Sequence, residues 1–383
     1  MSKQLKRLLI LLWSITIIGM IALRCYKNPV KAFKSVRGIF VFRKKMNRFN
    51  KLPKYYYANK RYYMTMNIPG FPSNAFSQFI RDELNHILPF NPNDHHLQMA
   101  VFSVTNRCPL RCLHCYEWER LNGTDYLSLD QLIQIQQKLE AYGLRQIQYT
   151  GGEPMMRIND LNELIKSTLP TTDTWIFSSG FNFTPENTQS LKKAGLTGVI
   201  LSLDHWNEPD HNQFRQSDQA FKWVTSAAEN IVKADLALSL SLCPSREFVT
   251  RENLTKYLHF AQKLKAGFIQ ILEPRAAGRF KNQDIELKAD HLRVIGEFTL
   301  DVNNNQKYRN YPTILFPGYH QREFGCFGAG RRFLYIDSKG DLNACPFCQE
   351  SFGNTVENDL NPLIEQLKSR GCPKFGKALT VLN

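Results

Sequence analysis

The chain has 383 residues, 43% hydrophobic and 22% charged, enough for one large core plus an appendage. Its net charge of +15 sits at one end: of the 49 Lys and Arg, 17 precede Asp82, the first acidic residue, leaving 32 to set against all 34 Asp and Glu. A near-neutral body argues against nucleic acid as a partner, which would require a basic footprint on the folded domain. Seven of the nine cysteines fall in two groups at metal-ligand spacings, with Cys25 and Cys243 alone, which argues against a disulfide framework and for reduced thiols on a cytosolic face.

Leu8–Leu23 is an uncharged apolar run of 16 residues, preceded by Lys3, Lys6 and Arg7 and followed by Arg24 and Lys27. It predicts a single N-terminal membrane anchor, slightly short for a transmembrane helix but extended by snorkelling basic flanks. A cleaved signal or a buried hairpin has the same outline, although no A-x-A-like site follows. Because the basic excess follows the run, the positive-inside rule puts the body in the cytoplasm. Residues 29–50 place Val30, Phe33, Val36, Ile39, Phe40 and Phe49 among Lys and Arg at roughly helical spacing. That pattern suits a basic amphipathic segment on anionic headgroups, or equally a solvated linker. Tyr55–Tyr57, Tyr62 and Tyr63 form an aromatic, basic stretch suited to an interface. The pattern predicts a short helix over 74–88. Residues 1–60 thus read as anchor and amphipathic segment, and 61–98 as a lead-in.

From residue 99 strands and helices alternate. Apolar runs predict strands at 99–105, 145–150, 174–179, 198–204, 236–242 and 268–273, with helices at 128–142, 159–167, 185–194, 219–234 and 250–265. Ser128 can N-cap the first helix, Gly143 can end it, and Pro185 suits a first turn. Six βα units imply an α/β fold with a parallel sheet, as a partial (βα)6 barrel over 99–305 or a doubly wound sheet. In a barrel the chemistry gathers at the C-terminal strand ends.

The distinctive residues fall there. Cys108, Cys112 and Cys115, spaced C-x₃-C-x₂-C, follow the first strand. Thr150-Gly151-Gly152-Glu153-Pro154, Ser178-Ser179-Gly180 and Ser202-Leu203-Asp204 end the next three. Three thiolates suit an iron–sulfur cubane with one iron left open; a zinc site completed by His114 or a remote cysteine is the alternative. Gly151 and Gly152 allow close backbone approach to a ligand, and Glu153 offers a carboxylate to an ammonium. Ser202 and Asp204 can hydrogen-bond a ribose, Arg215 can pair a carboxylate, and His211 reads as structural.

Together the cysteine triplet, Gly151–Pro154, Ser178–Gly180, Ser202–Asp204 and His211…Arg215 resemble the radical S-adenosylmethionine (radical SAM) superfamily over roughly residues 99–275. The resemblance implies a [4Fe–4S] cluster on Cys108, Cys112 and Cys115 whose open iron chelates S-adenosyl-L-methionine. It implies cleavage to methionine and a 5′-deoxyadenosyl radical that abstracts hydrogen from a substrate, and a reducing partner such as flavodoxin or ferredoxin. By motif position Glu153 faces the methionine amine, and Ser202 and Arg215 face the ribose or carboxylate. Relatives often carry Asn-Gly where this chain has Ser179-Gly180.

Beyond Pro317, Cys326, a hairpin pattern over 333–345 with its turn at Ser338–Asp341, then Cys345, Cys348 and Cys372 could complete a second metal site. The C-x₁₃-Gly340-x₄-Cys345 pattern resembles the SPASM or twitch extension of radical enzymes. That implies a second, fully ligated [4Fe–4S] cluster in 306–383, with zinc as the alternative. Cys243 reads as a buried thiol. The substrate stays open between a peptide or protein and a membrane lipid or tetrapyrrole; a non-catalytic metal scaffold is the alternative of another class.

Overall fold

The computed structural model describes residues 3–46, 54–92 and 94–376; Arg48 and Phe49 of the amphipathic segment lie outside them. Helices α1 (Lys3–Tyr26) and α2 (Pro29–Met46) are followed by a short antiparallel hairpin, β1 (Tyr56–Ala58) and β2 (Arg61–Tyr63), and by α3 (Asn74–Ile87). Ser73 N-caps α3 through the Phe76 N–H.

The body then alternates as the sequence predicts. Strands β3 (Met99–Thr105), β4 (Gln146–Gly151), β5 (Asp173–Ser178), β6 (Gly198–Ser202), β7 (Ala237–Leu242) and β8 (Phe268–Ile271) interleave with α4 (Leu129–Ala141), α5 (Ile158–Ser167), α6 (Pro185–Ala194), α7 (Glu208–Arg215), α8 (Ala220–Lys233) and α9 (Arg251–Lys263). Ser128 and Gln131 close a capping box on α4, and Gly143 ends that turn with φ +96°. All neighbouring pairs from β3 to β8 are parallel and in chain order. Such a sheet curls into a partial barrel with its helices outside. Its core packs Phe102, Tyr149, Ile176, Leu201 and Leu240 against the helices.

Two additions extend the sheet. After α10 (Ala289–Asn304), β9 (Thr313–Leu315) pairs parallel with β8, so the sheet continues past residue 305. Beyond α11 (Pro317–Phe324), β10 (Phe333–Ile336) and β11 (Leu342–Asn343) form the expected hairpin, and β10 adds parallel to β3. The edges of the nine-stranded sheet are therefore β11 and β9. Helix α12 (Leu360–Arg370) seats Ile364 and Leu367 in the main core.

The tyrosine stretch corrects one expectation. Only Tyr57 is exposed; Tyr63 is buried edge-on to Trp175, and Tyr56 packs on Phe268. Ala58, Tyr63 and Met66 share a buried cluster with Trp175, Ile200, Ala237 and Phe268, one from each of β5 to β8. The hairpin therefore plugs the barrel, leaving the opposite end for chemistry.

Helix α1 packs a single stripe inward. Ile10, Ser14, Ile18 and Ala22 are buried at four-residue spacing, while Leu5, Leu8, Leu12, Trp13, Ile15 and Leu23 on the other faces are exposed. Both ends are tied to the body: Arg7 Nη2 donates to Arg309 O at 3.1 Å, and Tyr26 Oη donates to Leu84 O at 2.7 Å.

Candidate functional site

The cysteine loop leaves β3 and is pinned from several sides. Asp125 accepts from Thr105 Oγ1 at 2.7 Å and Arg107 Nε at 2.8 Å, and Asn122 Oδ1 accepts from Cys108 N at 2.9 Å. The Arg279 N–H donates to Cys115 O at 2.9 Å, and its guanidinium reaches Arg111 O. A Cβ at Gly278 would sit 2.3 Å from Cys115 O, so this approach requires glycine. Asn122 and Asp125 reach back across the same β3–α4 loop with no motif to mark them, whereas Arg279 comes from beyond β8.

Gly151 and Gly152 serve the same loop. A Cβ on Gly151, at φ +142°, would lie 2.2 Å from Thr105 O, and one on Gly152 would lie 2.4 Å from Arg107 O. Their room is filled by the backbone of the cysteine loop itself, with Gly152 N and Glu153 N donating to Thr105 O and Arg107 O, both at 2.8 Å. Pro154 opens the short turn before α5.

Glu153 is buried and accepts four hydrogen bonds. Oε1 takes Ser178 Oγ at 2.8 Å and Met155 N at 3.2 Å; Oε2 takes Ser179 N at 2.8 Å and Ser179 Oγ at 2.5 Å. Burial pushes its pKa up while these donors pull against it. Ser179, standing where relatives often have Asn, thus spends both its N–H and its hydroxyl on Glu153.

Asp204 Oδ2 accepts from Arg215 Nε at 2.6 Å, and Oδ1 accepts from Cys243 N at 3.0 Å. Arg215 Nη1 lies 3.6 Å from Cys112 Sγ. Burial raises the Asp204 pKa, but Arg215, His114, His211 and the Cys243 N–H together more than offset it, so the carboxyl stays below its usual range. Burial also raises the Cys112 thiol, and Arg215 is the chief opposing influence. A cation held by a carboxylate therefore stands ready to favour the thiolate. His211 is fully buried, accepts from Asp204 N through Nδ1 at 3.2 Å, and burial drops its pKa to about 3. His114 stacks on Phe214 with ring centroids 4.7 Å apart and is kept neutral by burial, its pKa lowered to about 4. Ser202 lines the same chamber at the end of β6.

The C-terminal cysteines come together. Thiol contacts run from Cys326 to Cys372, from Cys372 to Cys348 and from Cys348 to Cys345. Gly328 N donates to Cys326 Sγ at 3.3 Å. This second group is locked to the first loop: Tyr335 Oη donates to Glu117 Oε1 at 2.5 Å, Arg120 pairs with Asp337 at 2.7 Å, and Gln349 Nε2 donates to Tyr116 O at 2.7 Å. The Tyr116 ring meets both Tyr335 and Phe347 edge-on. Both cysteine groups line one cavity of about 870 Å³.

Among the described residues no three His, Cys, Asp or Glu side chains converge on one metal ion. Thiolate sulfur is the ligand an iron–sulfur cluster takes at both groups, and four thiolates suit zinc as well at the second.

The Radical SAM superfamily profile matches residues 102–252. A GTP 3′,8-cyclase of Desulforamulus reducens is 37% identical over 294 residues, 69% of this chain and 84% of that protein. A Methanocella arvoryzae protein named "Probable GTP 3′,8-cyclase" is 32% identical over 143 residues, and that match spans 37% of this chain and only 44% of the relative. In fold the chain is similar to Streptococcus suis SuiB bound to precursor peptide SuiA, with a TM-score of 0.60 at 16% identity, covering 89% of this chain and 84% of that one. The triplet at the end of β3, the parallel partial barrel and these likenesses agree, and the chain belongs to the radical SAM superfamily.

Proposed function

We propose that this enzyme works docked on a membrane surface, with a second cluster beside the first and its substrate held in the chamber they share. The single observation that carries the shared chamber is the cavity lined by both cysteine groups. Cys108, Cys112 and Cys115 would hold the first [4Fe–4S] cluster and Cys326, Cys345, Cys348 and Cys372 the second. When bound, the first cluster and S-adenosyl-L-methionine supply one-electron cleavage to methionine and a 5′-deoxyadenosyl radical, for which a flavodoxin or ferredoxin is a suitable donor.

The chain's own residues orient and shield that chemistry. Glu153 offers its carboxylate to the methionine ammonium by exchanging one of its present donors. Ser202 faces the chamber as a ribose partner. Arg215, committed to Asp204 and Cys112, is better placed to steady the thiolate than to bind the cofactor's carboxylate. Screening from water comes from the plug of Tyr63 and Met66 at one end and from the C-terminal extension at the other.

Membrane docking rests on α1 and α2. Helix α1 is long and apolar enough to cross a bilayer, yet both its ends are bonded to the body. A helix lying in the headgroup plane, with Leu8, Leu12 and Leu23 outward and flanking lysines on anionic lipid, satisfies both facts. A peptide substrate is a second reading, favoured by the fold shared with a peptide-bound enzyme.

Anaerobically reconstituted protein is expected to carry about eight irons, and Cys348→Ala about four, since each cubane holds four. Iron assay with electron paramagnetic resonance checks this; loss of all iron in Cys348→Ala would contradict two separate sites.

A further inference from the structure

The chamber does not end at the cysteines. It continues to a wall formed by Ile18 of α1, Ile39 and Phe40 of α2, and Phe79 and Ile80 of α3. The same two N-terminal helices turn large apolar side chains outward: Leu8, Leu12 and Leu23 on α1, Val30, Phe33 and Val41 on α2. The inner wall of the chamber and the outer apolar face are thus opposite sides of one helical pair.

This arm is apolar but carries positive charge. Lys54 is buried, and its Nζ donates to two backbone carbonyls, Val302 O at 2.9 Å and Pro312 O at 3.4 Å. Arg43 Nη2 lies 3.2 Å from Met64 Sδ. Among the described residues neither cation has a carboxylate partner. The nearby charges are already matched: Glu83 accepts from Arg332 at 2.7 Å, and that guanidinium also stacks over Phe42. Burial depresses the pKa of both cations, Lys54 to about 8. Leaving two desolvated cations unpaired is costly, and an anionic group entering the arm would offset that cost.

We infer that the arm binds the chain of a long amphiphile with one anionic end, drawn from the bilayer on which α1 and α2 lie, its charge at Arg43 and Lys54 and its chain among Ile39, Phe40, Phe79 and Ile80. A short polar ligand would leave the apolar wall wet, and a neutral chain would leave the cations unmatched. The basic surface of α1 and α2 is complementary to the anionic lipid leaflet that would deliver such a molecule. The inference rests on the membrane-docked reading above.

Photolabelling tests it directly. Full-length enzyme on vesicles of phosphatidylcholine with anionic phosphatidylglycerol is irradiated with a diazirine-bearing long-chain carboxylate or with the matching alcohol, and labelled positions are mapped by mass spectrometry. The carboxylate is expected to label Phe79 or Ile80 inside the arm, saturably and at least about tenfold more efficiently than the alcohol, the gain one charge-assisted hydrogen bond confers. Both probes should label the outward Leu8 and Leu12 alike, which serves as the internal reference. Arg43→Met should lower the inner labelling by about tenfold, with the outer labelling unchanged and Arg43→Lys restoring most of the loss. Lys54→Met gives the same reading should Arg43→Met fold poorly. Equal labelling by both probes, or labelling confined to outward residues, would overturn the inference. 5′-Deoxyadenosine formed in the same samples separates the two levels. Cleavage without inner labelling sinks this site alone, whereas inner labelling without cleavage sinks the enzymatic reading.

Discussion

Cys112→Ala is expected to lower 5′-deoxyadenosine formation by at least ~10³-fold, a barrier increase of at least ~4 kcal/mol. Two losses combine in that change. One corner of the proposed first cluster loses its thiolate, and Arg215 loses the sulfur that its Nη1 meets at 3.6 Å. The Cys326–Cys372–Cys348–Cys345 group does not depend on Cys112, so its iron should remain. Product analysis after reduction, with iron counted on the same sample, checks both halves. Residual turnover within tenfold of the parent would mean that Cys112 is not a cluster ligand.

Asp204→Ala is the second large effect, and it falls on stability. Asp204 is the buried partner of an equally buried guanidinium, with side-chain exposures of 3% and 9%. Removing the carboxylate strands Arg215 in a low-dielectric site and deprives Cys243 N of its acceptor. A buried pair broken on one side costs about 3–5 kcal/mol, read as a fall in the urea midpoint of the cofactor-free protein. A loss under about 1 kcal/mol, the range of an exposed pair, would show that Arg215 finds another partner. Asp204→Asn should fall between, because an amide oxygen keeps the Cys243 hydrogen bond but not the charge.

Much of the fold was legible because long strands bury both faces. The runs at 99–105 and 236–242 are almost wholly apolar or small, and the helices between them carry caps that state their limits. The three-residue strands β1, β2 and β9 carry no period to read, so the barrel plug and the strand beyond β8 emerged only in three dimensions. Helix α1 hid its asymmetry for a related reason. In a uniformly apolar run, nothing distinguishes the buried stripe of Ile10, Ile18 and Ala22 from the exposed Leu8 and Leu12.

The site was legible by residue type more than by partner. The cysteine triplet, Glu153 and Asp204 stand where strand ends bring them together. The sequence reading had Arg215 facing a cofactor; the structure ties it to Asp204 and Cys112. It had Gly151 and Gly152 clearing space for a ligand; their missing side chains clear space for the backbone at Thr105 and Arg107. Ser179 is explained only by its two bonds to Glu153. Apart from Asp204 and Arg215, which share the loop and helix after β6, these pairings span separate βα units, and sequence spacing holds no record of which strand ends will meet.

The most direct test of two clusters serving radical chemistry in one chamber is anaerobic. Full-length protein, reconstituted with iron and sulfide and reduced with dithionite, is incubated with S-adenosyl-L-methionine, and methionine and 5′-deoxyadenosine are measured together. Equal amounts of the two products from protein carrying about eight irons are expected. Intact S-adenosyl-L-methionine recovered beside tightly held zinc would contradict it.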